Sequence, residues 1–174
     1  SYLSIRLTLN EHYRPQLEVM LTSLHASNPG ENVSVWLIHR SLTPEQLARL
    51  ERRCGLLGFS LHPVTADAHL FADAPLTRQY PQEMYYRLLA AQLLPEEMHR
   101  VIYLDPDILV INPLRPLWEL DLAGNLFAAA AHTGKTELAN SVNQVRLGTD
   151  HDYFNSGVLL MDLAAGRRWL NPET

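Results

Sequence analysis

Alternating strands and helices fill the first hundred residues, and they lead into a fourth strand that is apolar along almost its whole length. Strand patterns cover 2–10, 32–40 and 58–66, and apolar residues at helical spacing fill the two connections between them. The fourth strand is RVIYL, at 100–104. A strand of this kind is typical of a parallel sheet with helices on both faces. The sequence therefore predicts one α/β domain with a Rossmann-like, mostly parallel sheet.

The boundaries of several further elements can be predicted from individual residues. Thr43 is expected to cap the second helix, with Pro44 at its first position, Gln46 closing a capping box and Gly55 just past its end. The rest of the chain divides into a loop at 66–82, a helix at 83–95, a short helix around PLWEL, and strands at NLFAAAAH and DYFNSGVLLMDL. No linker or repeat divides it, so residues 1–174 are expected to form a single domain.

Net charge, the length of apolar runs and the cysteine count limit the functional classes to which the protein could belong. The net charge of −5 argues against a nucleic-acid-binding protein, since such proteins need clustered positive charge. No apolar run approaches the roughly 20 residues of a membrane-spanning helix. The single cysteine, Cys54, can form no internal disulfide and is expected to be a packed thiol, which favours a reducing compartment. We therefore expect a cytoplasmic protein without a transmembrane segment.

Two carboxylates follow the fourth strand directly, in the sequence Asp105-Pro106-Asp107. In an extended chain, residues two apart point the same way, so both carboxylates could face one cation. Oxygen ligands suit Mg²⁺ or Mn²⁺, which bind one or two carboxylates together with diphosphate oxygens and water. Aspartate and proline are also turn residues, so a plain turn remains the alternative. A second Asp-x-Asp, at 150–152, precedes a strand and is weaker evidence for a metal site.

The surroundings of this pair resemble a known family. The segment VIYLDPDILVINPLRPLWELDL, followed some forty residues later by DYFNSGVLLMDL, closely resembles glycosyltransferase family 8. That family includes bacterial lipopolysaccharide galactosyl- and glucosyltransferases and glycogenin-like enzymes. The resemblance implies a GT-A fold and metal-dependent transfer of a hexose from a UDP-sugar, with retention of configuration. It implies Mn²⁺ as the metal and a glycan such as lipopolysaccharide as the acceptor. To reach such an acceptor, the protein would associate peripherally with the inner face of the cytoplasmic membrane.

The resemblance assigns roles around the carboxylates and the sugar. Asp105 and Asp107 match the family's metal-binding Asp-x-Asp, and the first of them also contacts the donor. Arg87, in MYYRLL, matches an arginine that reaches the donor sugar. Asn155, in YFNSGV, matches the family segment that lines the sugar pocket. The implied catalytic residues are Arg87 and Asn155. The two small residues after it, Ser156 and Gly157, are expected to line the sugar pocket, because small residues allow close approach of the backbone.

The nucleotide end and the chain end depart from the family pattern. Leu9, Asn10 and His12 stand where alanine, aspartate and asparagine are expected, whereas Tyr13 keeps its family place. Asn10, His12 and Tyr13 are the implied nucleotide contacts, since the Asn10 amide still offers a donor and an acceptor. The chain ends at RRWLNPET, before the family's later histidine and lysine. We therefore expect either the donor-binding part of a hexosyltransferase or, alternatively, a catalytically inactive nucleotide-sugar-binding or scaffold domain.

Overall fold

A computed structural model describes residues 2–9, 15–66, 82–130, 142–145 and 157–171, with backbone alone for 82–85 and 142–145. The strands are β1 (Leu3–Leu9), β2 (Val33–His39), β3 (Ser60–Thr65), β4 (Arg100–Leu104), β5 (Phe127–Ala130), β6 (Val142–Val145) and β7 (Val158–Asp162). The helices are α1 (Gln16–Ser27), α2 (Pro44–Leu56), α3 (Gln82–Ala91), α4 (Arg115–Trp118) and α5 (Leu163–Leu170).

The strands form one seven-stranded mixed sheet in the order β3-β2-β1-β4-β7-β5-β6. The first four in this order are parallel, with Ile5 of β1 opposite Val35 of β2 and Ile102 of β4. β7 then runs antiparallel between β4 and β5, and β6 is antiparallel to β5. The predicted parallel half is confirmed, and the antiparallel strands lie on one side of it.

Both faces of the sheet are buried under helices. On one face, Leu3, Ile5 and Leu7 of β1 pack in a core with the apolar residues of α1 and α2. On the other, Val101 and Tyr103 of β4 pack with α3 and α5. Because β4 is covered on both faces, successive residues on both of its sides are apolar, which explains its nearly continuous apolar sequence. Within the described residues, no helix has the length and apolarity needed to cross a membrane.

The predicted start of α2 is confirmed in detail. The Gln46 backbone N–H donates to Thr43 Oγ1 at 3.1 Å, and the Thr43 N–H donates to Gln46 Oε1 at 3.0 Å. The helix runs past the predicted end, through Gly55 to Leu56, and the glycine in the left-handed region is Gly58, at φ 74°. Cys54 is buried, and burial raises the pKa of its thiol to about 11, so it is the inert packed thiol that was predicted.

Candidate functional site

The carboxyl ends of four parallel strands lie at the same edge of the sheet, and β1 separates β2 on one side from β4 on the other. The chain winds outward from β1 to β2 and β3, and then returns to place β4 against the opposite side of β1. Such a switch in strand order opens a crevice at the carboxyl ends, where α/β proteins bind ligands. Asp105 is the first residue after β4, so it stands directly at this crevice.

The Asp-Pro-Asp segment turns at that point. The Ile108 backbone N–H donates to the Asp105 carbonyl at 3.5 Å, and Pro106 and Asp107 occupy the turn between them. The extended geometry expected for this segment is therefore wrong, and the turn that was kept as the alternative is present. Asp105 is half-buried and Asp107 is exposed. A turn does not exclude ligand binding, since it presents the second carboxylate to solvent at the edge of the crevice.

Two side chains contact one carboxylate oxygen of Asp105. The Tyr103 hydroxyl donates to Asp105 Oδ1 at 2.7 Å, and Arg87 Nη2 lies 3.8 Å from the same oxygen. The Arg87 guanidinium also packs on the Tyr103 ring, with Cζ 4.4 Å from the ring centroid. Burial raises the pKa of the Tyr103 phenol to about 12, so the phenol stays protonated and remains a donor at neutral pH. Arg87, Tyr103 and Asp105 form what we call the Asp105 cluster.

Gly157 packs closely against the other side of Asp105. The Asp105 backbone N–H donates to the Gly157 carbonyl at 2.9 Å. A Cβ atom built on Gly157 would lie 2.7 Å from Ile108 Cγ2 and 3.3 Å from Asp105 Oδ2. Since real Cβ atoms do not approach another atom as closely as 2.7 Å, any larger residue at 157 would force a shift of Ile108 or of its neighbour Asp105.

The segment that follows the carboxylates, up to Leu114, is hydrogen-bonded to side chains at the end of α1. The Val110 backbone N–H donates to Ser23 Oγ at 2.9 Å, and the Val110 carbonyl accepts from Ser27 Oγ at 2.6 Å. The Leu114 N–H donates to Asn28 Oδ1 at 2.7 Å. Side chains of α1 and of its C-cap residue Asn28 thus bind the backbone of a segment that pairs with no strand among the described residues, and this holds the turn at the edge of the sheet.

The model of glycosyl transferase family 8 matches residues 4–169. The chain belongs to this family. General stress protein A of Bacillus subtilis (strain 168) is 28% identical over 161 residues, covering 91% of this chain and 55% of that protein. Lipopolysaccharide 1,2-glucosyltransferase of Escherichia coli (strain K12) is 27% identical over 177 residues, covering 98% of this chain and 50% of that protein.

A solved relative shows the same fold. The crystal structure of the galactosyltransferase LgtC in complex with donor and acceptor sugar analogs matches 95% of this chain and 60% of its own, with a TM-score of 0.69 at 24% identity. The expected GT-A fold is therefore confirmed. The present chain spans about half the length of the curated relatives that it matches.

The structure places some of the residues that the family resemblance singled out. Arg87, Asp105 and Gly157 come together from α3, the end of β4 and the start of β7, and Asp107 lies two residues further along the turn. The remaining family positions and the second Asp-x-Asp lie outside the described residues: Asn10, His12, Tyr13, Asn155, Ser156, Asp150 and Asp152. Their roles stay predictions.

Two side chains that the sequence did not single out contact this family site. Tyr103 looked like one more apolar residue of a buried strand, although its position two residues before Asp105 puts both on the same side of an extended chain. Arg6 looked like a polar residue of an alternating strand, but it is 1% exposed and packs on the Tyr103 ring, with Cζ 5.2 Å from the centroid. The position of Tyr103 could have been noticed from the sequence, whereas the burial of Arg6 could not.

A third polar residue lies at the same edge. His39 ends β2, is 6% exposed, and has no hydrogen-bond partner for Nδ1 within the parts of the chain that the structure describes. Burial lowers its pKa, because the charged imidazolium would lose its hydration, so the ring is neutral at pH 7.

The donor set of the described residues fits a metal shared with a ligand rather than one enclosed by protein. Across the described ranges, no group of three or more His, Cys, Asp or Glu side chains could hold a metal ion. Asp105 and Asp107 offer two carboxylates at an open edge. Mg²⁺ and Mn²⁺ bind in this way when a diphosphate and water complete the coordination, so the carboxylate pair fits such an ion.

Proposed function

We propose that this chain forms the donor-binding part of a retaining hexosyltransferase. In this proposal it transfers glucose or galactose from a UDP-sugar to a glycan acceptor such as lipopolysaccharide, with Mn²⁺ or Mg²⁺ bound by Asp105 and Asp107. The observation that carries the proposal is the position of the Asp105 cluster at the switch in strand order of a family 8 fold. The sugar and acceptor are inferred from the lipopolysaccharide glucosyltransferase and the galactosyltransferase to which the chain is similar.

The residues suggest how such a donor would be held. A bound divalent cation supplies charge neutralisation for the leaving diphosphate. Arg87 is fixed by the Tyr103 ring and by Asp105, so its guanidinium is held in place before a sugar hydroxyl arrives. The close packing of Gly157 against Asp105 and Ile108 would hold the carboxylate in place beside the sugar. Asn155 and Ser156 would line the sugar pocket. Asn10, His12 and Tyr13, which follow β1, would contact the nucleoside.

The place of the reaction in the cell follows from the proposed substrates. A glycan acceptor carried on a lipid would bring the protein to the inner face of the cytoplasmic membrane as a peripheral protein. A single buried thiol is consistent with a reducing compartment.

The test is calorimetric titration of UDP into the protein, with and without Mn²⁺, for the wild type and for Asp107→Ala. The exposed position of Asp107 makes the variant a mild one for folding. We expect UDP binding that requires Mn²⁺ and that falls by at least about 100-fold in Asp107→Ala, because a divalent metal held by two carboxylates loses one of them. Glu119→Ala is the matched control and should bind normally. It removes an exposed carboxylate that follows α4, and the carbonyls on either side of it bind Arg100 at the opposite end of β4 from Asp105.

A second candidate is the inactive nucleotide-sugar-binding or scaffold domain. The altered residues Leu9, Asn10 and His12 favour it. Titration with UDP-glucose and UDP-galactose, followed by a search for sugar release or transfer, separates the two. Metal-dependent binding with turnover supports the transferase, binding without turnover supports the inactive domain, and absence of binding contradicts both.

A further inference from the structure

Arg6 is a charged side chain in the middle of the sheet that the proposed chemistry does not use. It lies on β1 with 1% of its surface exposed, among the largest fully buried side chains of the described residues. Its neighbours Ile5 and Leu7 point to the opposite face of the strand, into the core beneath α1 and α2. A buried charge is costly unless it is well bonded, and an apolar residue of similar size often serves stability equally well. Its presence therefore needs an explanation beyond packing.

The hydrogen bonds of Arg6 link β1 to α3. Nε and Nη2 donate to Thr8 Oγ1 at 3.3 and 3.2 Å, on the same strand. Nη1 donates to the backbone carbonyl of Arg87 at 2.5 Å, across the interface with α3. No ion pair between Arg6 and a carboxylate is found within the described residues. Nη1 also contacts Met161 Sδ at 3.6 Å. These partners are all neutral, so none of them offsets the charge of the guanidinium.

The same guanidinium contacts the Asp105 cluster from behind. Arg6 and Arg87 both pack on the Tyr103 ring, with Cζ 5.2 and 4.4 Å from its centroid. The Tyr103 hydroxyl in turn donates to Asp105. Arg6 thus contacts the backbone of one member of the cluster and the ring of another, without reaching the crevice itself.

The charge of Arg6 adds to this arrangement. Burial lowers its pKa to about 10, and repulsion by Arg87 acts in the same direction, yet the group remains protonated at neutral pH. The two guanidinium groups of Arg6 and Arg87 therefore pack on the ring whose hydroxyl binds Asp105. A positive charge in a buried region acts over a longer distance than one in water and favours an anionic ligand such as a diphosphate.

We propose that Arg6 is a positioning residue of the donor site. It fixes the Arg87 backbone and the Tyr103 ring so that the Arg87 guanidinium and the Asp105 carboxylate meet in the one geometry that accepts a metal–diphosphate ligand. The inference rests on the proposed function, since it assigns a role toward the donor that was proposed for the same crevice.

The test compares Arg6→Met with Arg100→Met. Arg100 is a matched control: it also lies on a central strand and donates to backbone carbonyls, those of Trp118 and Leu120, at 2.5 and 3.0 Å, but at the opposite end of β4 from Asp105. For both variants, the melting temperature and the affinity for UDP in the presence of Mn²⁺ are measured.

We expect the two variants to behave in opposite ways. Arg6→Met should keep the wild-type melting temperature or raise it, because a buried charge is replaced by an apolar chain of similar length, while UDP affinity falls by about 10- to 100-fold. Arg100→Met should lower the melting temperature and leave UDP affinity unchanged. Equal UDP affinity in Arg6→Met and wild type would overturn the inference, and so would a fall in affinity that occurs to the same extent in both variants.

A readout without ligand separates this inference from the proposed function. The Nε–H resonance of Arg87, followed by ¹⁵N NMR in the absence of UDP and metal, reports whether its guanidinium is held. We expect it to shift and to exchange faster with water in Arg6→Met and to be unaffected in Arg100→Met. If wild-type protein binds no UDP, the donor site is refuted, whereas an unchanged Arg87 signal in Arg6→Met refutes the positioning role alone.

Discussion

Two clusters of arginine and carboxylate in this protein have similar chemistry and opposite surroundings. Between α1 and α2, Arg49 and Arg53 bind Glu18 at 3.0 and 3.4 Å, and the two arginine side chains are 60% and 41% exposed. At the end of β4, Arg87 is 6% exposed and lies 3.8 Å from Asp105. The exposed cluster has the shorter contacts. The names exposed cluster and buried cluster refer to the arginines: those of the exposed cluster are open to water although Glu18 is 12% exposed, whereas Arg87 is buried although Asp105 is 30% exposed.

Distance alone is therefore a poor guide to what an ion pair does. Water and salt screen the charges of the exposed cluster, and long side chains lose entropy when they are held there. In the Asp105 cluster, Tyr103 and Arg6 remove water from one side and hold the geometry. We infer that the exposed cluster contributes a little to stability, and that the buried one sets the shape of a binding site.

The largest effect should come from filling the space beside Asp105. In Gly157→Ala the new Cβ would lie 2.7 Å from Ile108 Cγ2, a branched methyl that cannot rotate away freely, so Asp105 or the turn must move. We expect a loss of about 1–3 kcal/mol in the free energy of unfolding, and a fall of about 100-fold in metal-dependent UDP affinity from displacement of the carboxylate. Urea denaturation and calorimetry measure the two quantities.

The control for this substitution is the double variant Ile108→Ala/Gly157→Ala. Removal of the Ile108 side chain beyond Cβ eliminates the 2.7 Å contact and leaves the 3.3 Å contact with Asp105 Oδ2. UDP affinity should therefore recover in part relative to Gly157→Ala. A double variant that binds no better than the single one would show that contact with Ile108 is not the cause of the defect.

A smaller effect should follow from removing one hydrogen bond inside the buried cluster. Tyr103→Phe keeps the ring on which both arginines pack and removes only the donor to Asp105 Oδ1. Because Asp105 is half-buried, water can replace part of this bond. We expect a loss of about 1 kcal/mol in the free energy of unfolding and of about 10-fold in UDP affinity.

Tyr86→Phe provides the comparison, since it makes the same change on the neighbouring helix α3 at the residue before Arg87. It should leave UDP affinity within about twofold of the wild type. Unchanged affinity in Tyr103→Phe would mean that the phenol hydroxyl does not help to hold Asp105 for ligand binding. The contrast between the two clusters would then lack one of its supports.

Local sequence patterns predicted the parallel half of the fold well. The positions of β1 and β2 and the start of α2 follow from alternation, apolar spacing and the capping residues Thr43 and Gln46, all of which act within a few residues. The end of α2 was predicted too early, because Gly55 lies inside the helix. The position of β7 between β4 and β5 could not be predicted in this way. It depends on pairing between residues about sixty apart, such as Ile102 with Leu160, and no local pattern encodes that choice.

The candidate site shows the same limit. The carboxylates were found because Asp105 and Asp107 end a conspicuous strand, but the shape of their backbone was predicted incorrectly. Arg6 was missed because an arginine in an alternating strand ordinarily faces water, and only the packing of α3 over that face of β1 buries it. Family resemblance can predict the site residues that members of a family share, whereas the contacts of Arg6 can be read only from the three-dimensional structure.

The smallest effect should come from the exposed cluster, and it is the sharpest check on the comparison. Glu18→Gln removes the charge that Arg49 and Arg53 share while keeping nearly the same side-chain volume. We expect a loss of about 1 kcal/mol or less in the free energy of unfolding, since exposed arginines are well hydrated without a partner, and the loss should shrink further in high salt. UDP affinity should stay at the wild-type value, because the cluster lies on helices that cover the far face of the sheet from Arg87.

Urea denaturation at low and high salt, with calorimetry alongside, tests both statements. A loss as large as that of Gly157→Ala, or any change in UDP affinity, would mean that exposure does not separate the two clusters and that the helices α1 and α2 help to shape the site through the segment that Ser23 and Ser27 hold.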